Sequence, residues 1–240
     1  MSSARRTRPR DVAVLGLAVG VFGISFGVLS VAAGVSPALT CAMSLLVFAG
    51  GAQFATIGVI GAGGSPAAAV ASGLLLNARY AAFGIALAPI TGVGGVARRL
   101  LAAHLTIDES AALALAEPDP RRARRLFWGT GAAIFVLWNA GTALGAFAGS
   151  AIGDPAAWGL DAAFPAGFLA LLAPLVRDRA SRAAALAGAG LAVALLPVAP
   201  PGVPVLAAAL GALAGLGARL RAQARDGEPA AATATTAEEP

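Results

Sequence analysis

The sequence predicts an all-α, polytopic integral membrane protein of about seven transmembrane helices. Three observations predict it. Charged residues are 12% of the 240 and hydrophobic residues 58%, whereas about a quarter of a soluble domain is charged, so this chain lacks the polar surface of a water-facing globule. Its charge gathers at residues 5–11, 98–125, 177–182 and 219–228. Between these clusters lie apolar stretches of 18 residues or more, each long enough to cross a bilayer as a helix.

A basic tail, 1–11, comes first. With the apolar run behind it the tail imitates a secretory signal, but the run is long and no clear cleavage site leads into a soluble domain, so 12–33 reads as the first span. Short Gly/Pro turns at Gly34–Pro37 and Gly61–Pro66 separate it from segments 38–61 and 66–90. These three form a first bundle half, 12–90. Residues 91–125 are a long connection, in which Leu101, Leu105 and Leu113 recur at helical spacing among charges. That pattern predicts an amphipathic cytoplasmic helix over Arg98–Glu117 lying on the membrane surface, with His104, Asp108 and Glu109 facing solvent and Pro118 and Pro120 ending it. A second bundle half, 126–219, holds segments 126–152, 158–176, 180–197 and 201–219. Residues 220–240 end in Ala, Thr, Glu and Pro and read as a disordered tail.

The two halves are weakly alike. Phe48-Ala49-Gly50-Gly51-Ala52-Gln53-Phe54 aligns with Phe164-Pro165-Ala166-Gly167-Phe168, and Pro66 and Arg182 follow at equal distances, each leading an Ala-rich run. Chance in an Ala-rich chain and a true repeat both account for this. As a repeat, each half is a three-helix unit whose middle helix is interrupted, the pattern that marks a transporter's substrate site. Topology carries a conflict. Arg98, Arg99, Arg121, Arg122, Arg124 and Arg125 put the long connection in the cytoplasm. Three full spans before it would then put the basic tail outside. Either the tail breaks the positive-inside rule, giving an N-out protein with inverted repeats, or one early segment does not cross; the first is the expectation.

The net charge of +5 and a pI near 11.1 do not imply nucleic acid, because all 17 basic residues are Arg, gathered almost entirely at span ends, and no groove-reading motif accompanies them. Lys-free, Ala- and Arg-rich usage points to a GC-rich bacterial genome, and hence to the bacterial inner membrane. Cys41 is the single cysteine, so an intrachain disulfide and a thiolate metal cluster are excluded. No metal-ligand spacing, phosphate loop or Ser-His-Asp constellation emerges. The chain therefore reads as a non-enzyme with no cofactor and no metal.

Polar residues inside the spans are the candidate site. Arg79 is the one charged residue between Val12 and Ala97, and a guanidinium at membrane depth needs a partner, a cavity or a pathway. It either holds a carboxylate through two parallel hydrogen bonds or plays a structural role against backbone carbonyls or a second subunit. Gly50 and Gly51 each lower helix propensity by roughly 1 kcal/mol. A helix broken there exposes N–H and C=O groups tolerable only where they line a cavity. Gln53 then offers amide contacts, unless the pair only packs helices with Gln53 as interhelical glue. Asn77 and Asn139 are secondary contacts. Asp161 is either a counter-ion for Arg79, a proton-coupling carboxylate, or an interfacial N-cap.

Phe-Ala-Gly-Gly-Ala-Gln-Phe at 48–54, Asn-Ala-Arg-Tyr at 77–80, Asp-Glu at 108–109 and Leu-Asp-Ala-Ala-Phe-Pro-Ala-Gly-Phe-Leu at 160–169 resemble, in order and spacing, the AzlC family of branched-chain amino acid permeases. The likeness covers about residues 12–220. It implies a secondary exporter of Leu, Ile, Val and analogues such as azaleucine, driven by the proton-motive force and working with a small AzlD-type membrane subunit. Arg79, Gln53, Gly50, Gly51, Asn77 and Asn139 would form the substrate site. The chain departs from the family twice. Gly23-Ile24-Ser25-Phe26-Gly27 lacks the Pro often found there, and Tyr80 stands where a His often follows the motif Arg, so a proton relay through that His does not transfer. The alternatives are a membrane scaffold in which Arg79 docks a partner helix, and a transporter of another small carboxylate.

Overall fold

The computed structural model describes residues 7–92, 94–152, single positions between 157 and 173, and 176–226. Its described residues are helical, and packing divides the chain into units 1–168 and 169–240. Among the described residues four helices are long and apolar enough to cross a membrane: Pro9–Ala32, Pro66–Thr91, Pro120–Gly149 and Val203–Gln223. The chain is a polytopic helical membrane protein. Most of segment 158–176, with Asp161 and the proposed repeat at Phe164–Phe168, lies outside the described residues.

In the first unit, α1 (Pro9–Ala32) packs along α8 (Pro120–Ile152). The two run parallel. Gly16 and Gly20 meet Leu137, Gly23 meets Trp138 and Thr142, and Gly27 meets Thr142 and Ala146. Near their starts, Arg122 Nη2 donates to the Thr7 carbonyl at 2.7 Å. Small residues on both helices let the backbones approach closely, the usual device where lipid supplies no hydrophobic drive for helices to associate.

Segment 38–61 does not cross. It folds into α2 (Pro37–Val47) and α3 (Gly50–Gly61), a V that enters and leaves at the end of the bundle remote from Arg122. Thr40 bonds Ser30, Ser44 bonds Thr142 at 3.2 Å, and Phe48 meets Phe135, so α2 climbs toward mid-α8. Gly50 lies on Trp138 and Gly61 on Ala33, so α3 descends again. The break is at Phe48, whose φ of 36° is left-handed, and Ala49. The expectation of an interrupted helix holds, but Phe48, ahead of the glycines, turns the chain. A left-handed non-glycine residue costs about 1–3 kcal/mol, which the surrounding ring contacts offset.

α4 (Pro66–Asn77) and α5 (Arg79–Thr91) continue each other through a single irregular residue, Ala78, and return the chain to the Arg122 end, where Arg124 Nε donates to the Ile90 carbonyl at 2.9 Å. The long connection is then not one surface helix. It is a second V, α6 (Val96–His104) and α7 (Asp108–Leu115). Its tip is buried: Leu105 and Ile107 are 6% and 5% exposed, and Ser110 and Ala111 wholly buried. Leu105 seats on Gly131 of α8. Ser110 Oγ donates to the Leu105 carbonyl at 2.8 Å and accepts from the Ile107 N–H at 3.0 Å, closing the turn. The surface pattern misled because a re-entrant hairpin has the same charges at its mouth and apolar residues at its tip.

With 38–61 turning back, Thr7 and Arg122 lie at one end of the unit, whereas the expected topology puts the basic tail and the long connection at opposite ends. In the second unit, α9 (Arg179–Leu195) packs against α10 (Val203–Ala208) and antiparallel to α11 (Gly211–Asp226), with Gly211 against Gly188 and Gly215 against Ala180. α11 is ordered past residue 220, where the tail was expected to begin.

Candidate functional site

The tips of the two hairpins meet near the middle of α8. Phe48, at the first tip, lies 5.8 Å from the His104 ring at the second, and both rings pack on Phe135, at 5.0 and 5.5 Å. Phe135 is ten residues beyond Arg125, which at 1.5 Å per residue is about 15 Å, half of a hydrocarbon core of about 30 Å. Phe26 and Phe54, in edge-to-face contact, and Trp138, stacked on Phe26, seal the layer, with Ile107 and Ile134 completing it. His104 is thus half-buried, with its ring against Phe48 and Phe135.

The third irregularity, Ala78, falls at the same level. Gly73 of α4 meets Ala52 and Thr56 of the antiparallel α3, so Asn77, one turn on, stands level with the Phe48–Ala49 break. Arg79 follows. Its Nε and Nη2 donate to Asp108 Oδ1 and Oδ2 at 2.9 and 2.8 Å, a bidentate pair across hairpin and span. Nη1 donates to the Leu76 carbonyl at 2.9 Å, Nη2 also reaches the Tyr80 hydroxyl at 3.4 Å, and the guanidinium carbon lies 4.9 Å above the Tyr80 ring. The side chains of Arg79 and Asp108 remain 31% and 45% exposed. The counter-ion is therefore Asp108, which the sequence reading had left in solvent.

On the other side of the layer, the N–H groups of Gly50, Gly51 and Ala52 open α3 with no acceptor among the described residues; the first bond back is Gln53 N–H to the Ala49 carbonyl. Gln53 is wholly buried and its Nε2 donates to the Met43 carbonyl at 3.1 Å, bridging the two arms of the hairpin. Among the described residues its Oε1 has no partner, nor do Asn77 Oδ1, Asn139 Oδ1 and Trp138 Nε1. Asn139 Nδ2 donates to the Phe135 carbonyl at 2.7 Å. Unpaired buried polar atoms cost about 1–3 kcal/mol each, and such atoms in a native fold call for a reason. A cleft of about 410 Å³ between α5 and α6, lined by Leu87, Thr91, Arg98, Arg99, Ala102 and Thr106, leads from the arginine-rich end toward the second tip.

A family model described as AzlC protein matches residues 14–152, more than half of the chain and all of α1–α8 except the first few residues of α1. The chain belongs to the AzlC family. No curated protein and no solved structure matches it. Membership makes this a multi-pass membrane protein of branched-chain amino acid transport.

In this AzlC chain the six residues singled out from sequence fall in three places. Gly50, Gly51 and Gln53 share the α3 start, and a Cβ on Gly50 would lie 3.1 Å from the Trp138 ring, a tight contact. Asn77 and Arg79 flank Ala78. Asn139 stands on α8 beside Trp138. Arg79 hydrogen-bonds Asp108, Leu76 and Tyr80 and, among the described residues, none of the other five. Sequence reasoning missed Asp108, Phe48, His104 and Ser110. For Asp108 a signal existed: Leu-Thr-Ile-Asp-Glu-Ser is an apolar run ending in acids and a serine, a helix-start signature, inside what was read as one helix.

Proposed function

We propose that this protein is a secondary transporter that exports branched-chain amino acids and close analogues across the bacterial inner membrane, driven by the proton-motive force and assisted by a small AzlD-type membrane subunit. The observation that carries the reading is the meeting of two hairpins from opposite faces at mid-bilayer, beside an ion pair and a helix start with free N–H groups. Broken helices at the midplane are where transporters hold their substrates. The positive-inside rule turns the arginine-rich end to the cytoplasm, so the cleft between α5 and α6 is the inward vestibule.

In this scheme the substrate carboxylate takes the guanidinium of Arg79 from Asp108. Gln53 Oε1, Asn77, Asn139 and the N–H groups of Gly50 and Gly51 line the path. The aromatic and aliphatic layer accepts the branched side chain. Glu109 has no ion-pair partner among the described residues. The charged groups acting on it are Asp108 of its own helix and Arg79 of α5, and it is our candidate for the coupling proton. The scaffold reading, in which Arg79 docks a partner helix, is less well supported because Arg79 already has Asp108, a carbonyl and a phenol.

Leucine efflux from preloaded cells tests the proposal. Arg79→Ala and Arg79→Lys are expected to slow efflux more than about tenfold, since a lysine cannot reproduce the two-pronged contact. Efflux at the wild-type rate from both variants, at normal protein level, sinks it.

A further inference from the structure

We infer that Asp108 is the ammonium-binding residue of this site, and that the substrate enters as a zwitterion between the parted Arg79 and Asp108 side chains. The inference rests on the transport reading above and adds a residue and a selection rule to it.

Asp108 holds the Arg79 fork in the geometry a free carboxylate would use, two N–H···O contacts of 2.9 and 2.8 Å. A substrate carboxylate on Arg79 must displace it. Displacement alone would leave Asp108 as a bare carboxylate in a low-dielectric layer, a costly state. An α-amino acid removes that cost, because its ammonium stands two bonds from its carboxylate carbon and meets the released Asp108. One ion pair is exchanged for two. Net charge decides the rest. The pair is neutral and a zwitterion is neutral, so the occupied site gains no charge. A carboxylate lacking the amine would bring one negative charge to mid-bilayer, and an amine lacking the carboxylate one positive charge.

The geometry permits the exchange. Both side chains keep an exposed flank, so a small molecule can approach without unfolding the pair. Arg79 has the Leu76 carbonyl and Tyr80 as further partners, and Asp108 sits at the start of α7, directly after the buried Leu105–Ile107 tip. The exchange therefore takes place beside the contact between Phe48 and His104 that closes the layer.

The test is competition in proteoliposomes carrying the full chain with its small subunit, with labelled leucine as the transported probe. Unlabelled leucine, α-ketoisocaproate (no amine) and isoamylamine (no carboxylate) are the competitors. For the wild type, both analogues are expected to compete about 10- to 100-fold more weakly than leucine, the worth of one charge-assisted hydrogen bond. Asp108→Asn is expected to raise the leucine KM by a similar factor and to narrow the gap between leucine and α-ketoisocaproate. Asp108→Glu is expected to keep the gap. Equal competition by leucine and α-ketoisocaproate in the wild type overturns the inference while leaving leucine transport standing. An unchanged leucine KM in Asp108→Asn overturns it too. If Asp108→Asn does not accumulate, the wild-type competition and the Asp108→Glu gap still decide. Absence of any leucine flux in the wild type overturns the transport reading itself.

Discussion

The parallel contact of α1 and α8 makes a quantitative prediction about Gly23. A Cβ on Gly23 would lie 2.6 Å from the Trp138 carbonyl oxygen and 3.3 Å from the Thr142 nitrogen. Both are backbone atoms of α8, so no side chain can swing aside. An ordinary contact of at least 3.4 Å is restored only if the helices part by roughly 0.8 Å, and overpacking of that kind costs about 1–3 kcal/mol. Gly84 of α5 provides the control, because a Cβ there meets nothing within 4 Å. Gly84→Ala should stabilise by a few tenths of a kcal/mol to about 1, from helix propensity alone. The propensity gain is common to both positions, so Gly23→Ala and Gly84→Ala should differ by the overpacking cost, about 1–3 kcal/mol. At about 2–4 °C per kcal/mol for a chain of this size, the gap is readable in thermal unfolding of detergent-solubilised protein by tryptophan fluorescence, with Trp138, stacked on Phe26 beside the site, as a reporter. Equal shifts for the two variants would refute the close parallel packing, and with it the placement of both helix starts at one end.

Three further predictions follow from the same geometry. In a Cys41→Ser background, single cysteines at Thr7 and Asp119 should react with an impermeant maleimide from the same side of the membrane, and cysteines at Gly34 and Gly63 from the other; labelling of Thr7 and Asp119 from opposite sides contradicts the re-entrant α2–α3 hairpin. Ser110→Ala should free the turn it closes and cost about 1–3 kcal/mol as a lost buried hydrogen bond, seen as faster amide exchange over 104–111 with exchange along α1 unchanged; uniform acceleration in both would count against a local role. The Asp178 carboxylate accepts from the Ser181 hydroxyl at 2.6 Å and backbone N–H at 2.9 Å, which hold its pKa below the ordinary carboxylate range. A depressed folded-state pKa means the stabilisation is full above the unfolded value and fades as pH falls below about 4, so Asp178→Ala should lose the acid-side decline of α9 helicity measured by amide exchange; an identical pH profile contradicts the cap.

Composition alone made the membrane class legible, and the Gly50-Gly51 pair announced a broken helix. The direction of the chain after the break was not legible. Segment 38–61 is as long and apolar as a true span, and nothing in its composition separates a crossing from a V whose arms are held together by Gln53 on the Met43 carbonyl. The conflict over the basic tail did carry that information: a segment had to turn back, and the charge balance could not say which. Asp108 stayed hidden for another reason. Its pairing with Arg79 spans 29 residues, and helical periodicity reports only neighbours three and four positions apart. The amphipathic spacing of Leu101, Leu105 and Leu113 was real, yet it described a hairpin seated on α8 as well as a helix lying on lipid.

The same 29-residue separation orders the birth of the molecule. Arg79 leaves the ribosome well before Asp108, at synthesis rates of about 5–20 residues per second a lead of roughly one to six seconds. During that interval the fourth and fifth helices carry a cation whose partners are their own Leu76 carbonyl and Tyr80 hydroxyl. The second hairpin then supplies the carboxylate, so the ion pair begun in the first 92 residues is completed by the twenty or so that follow.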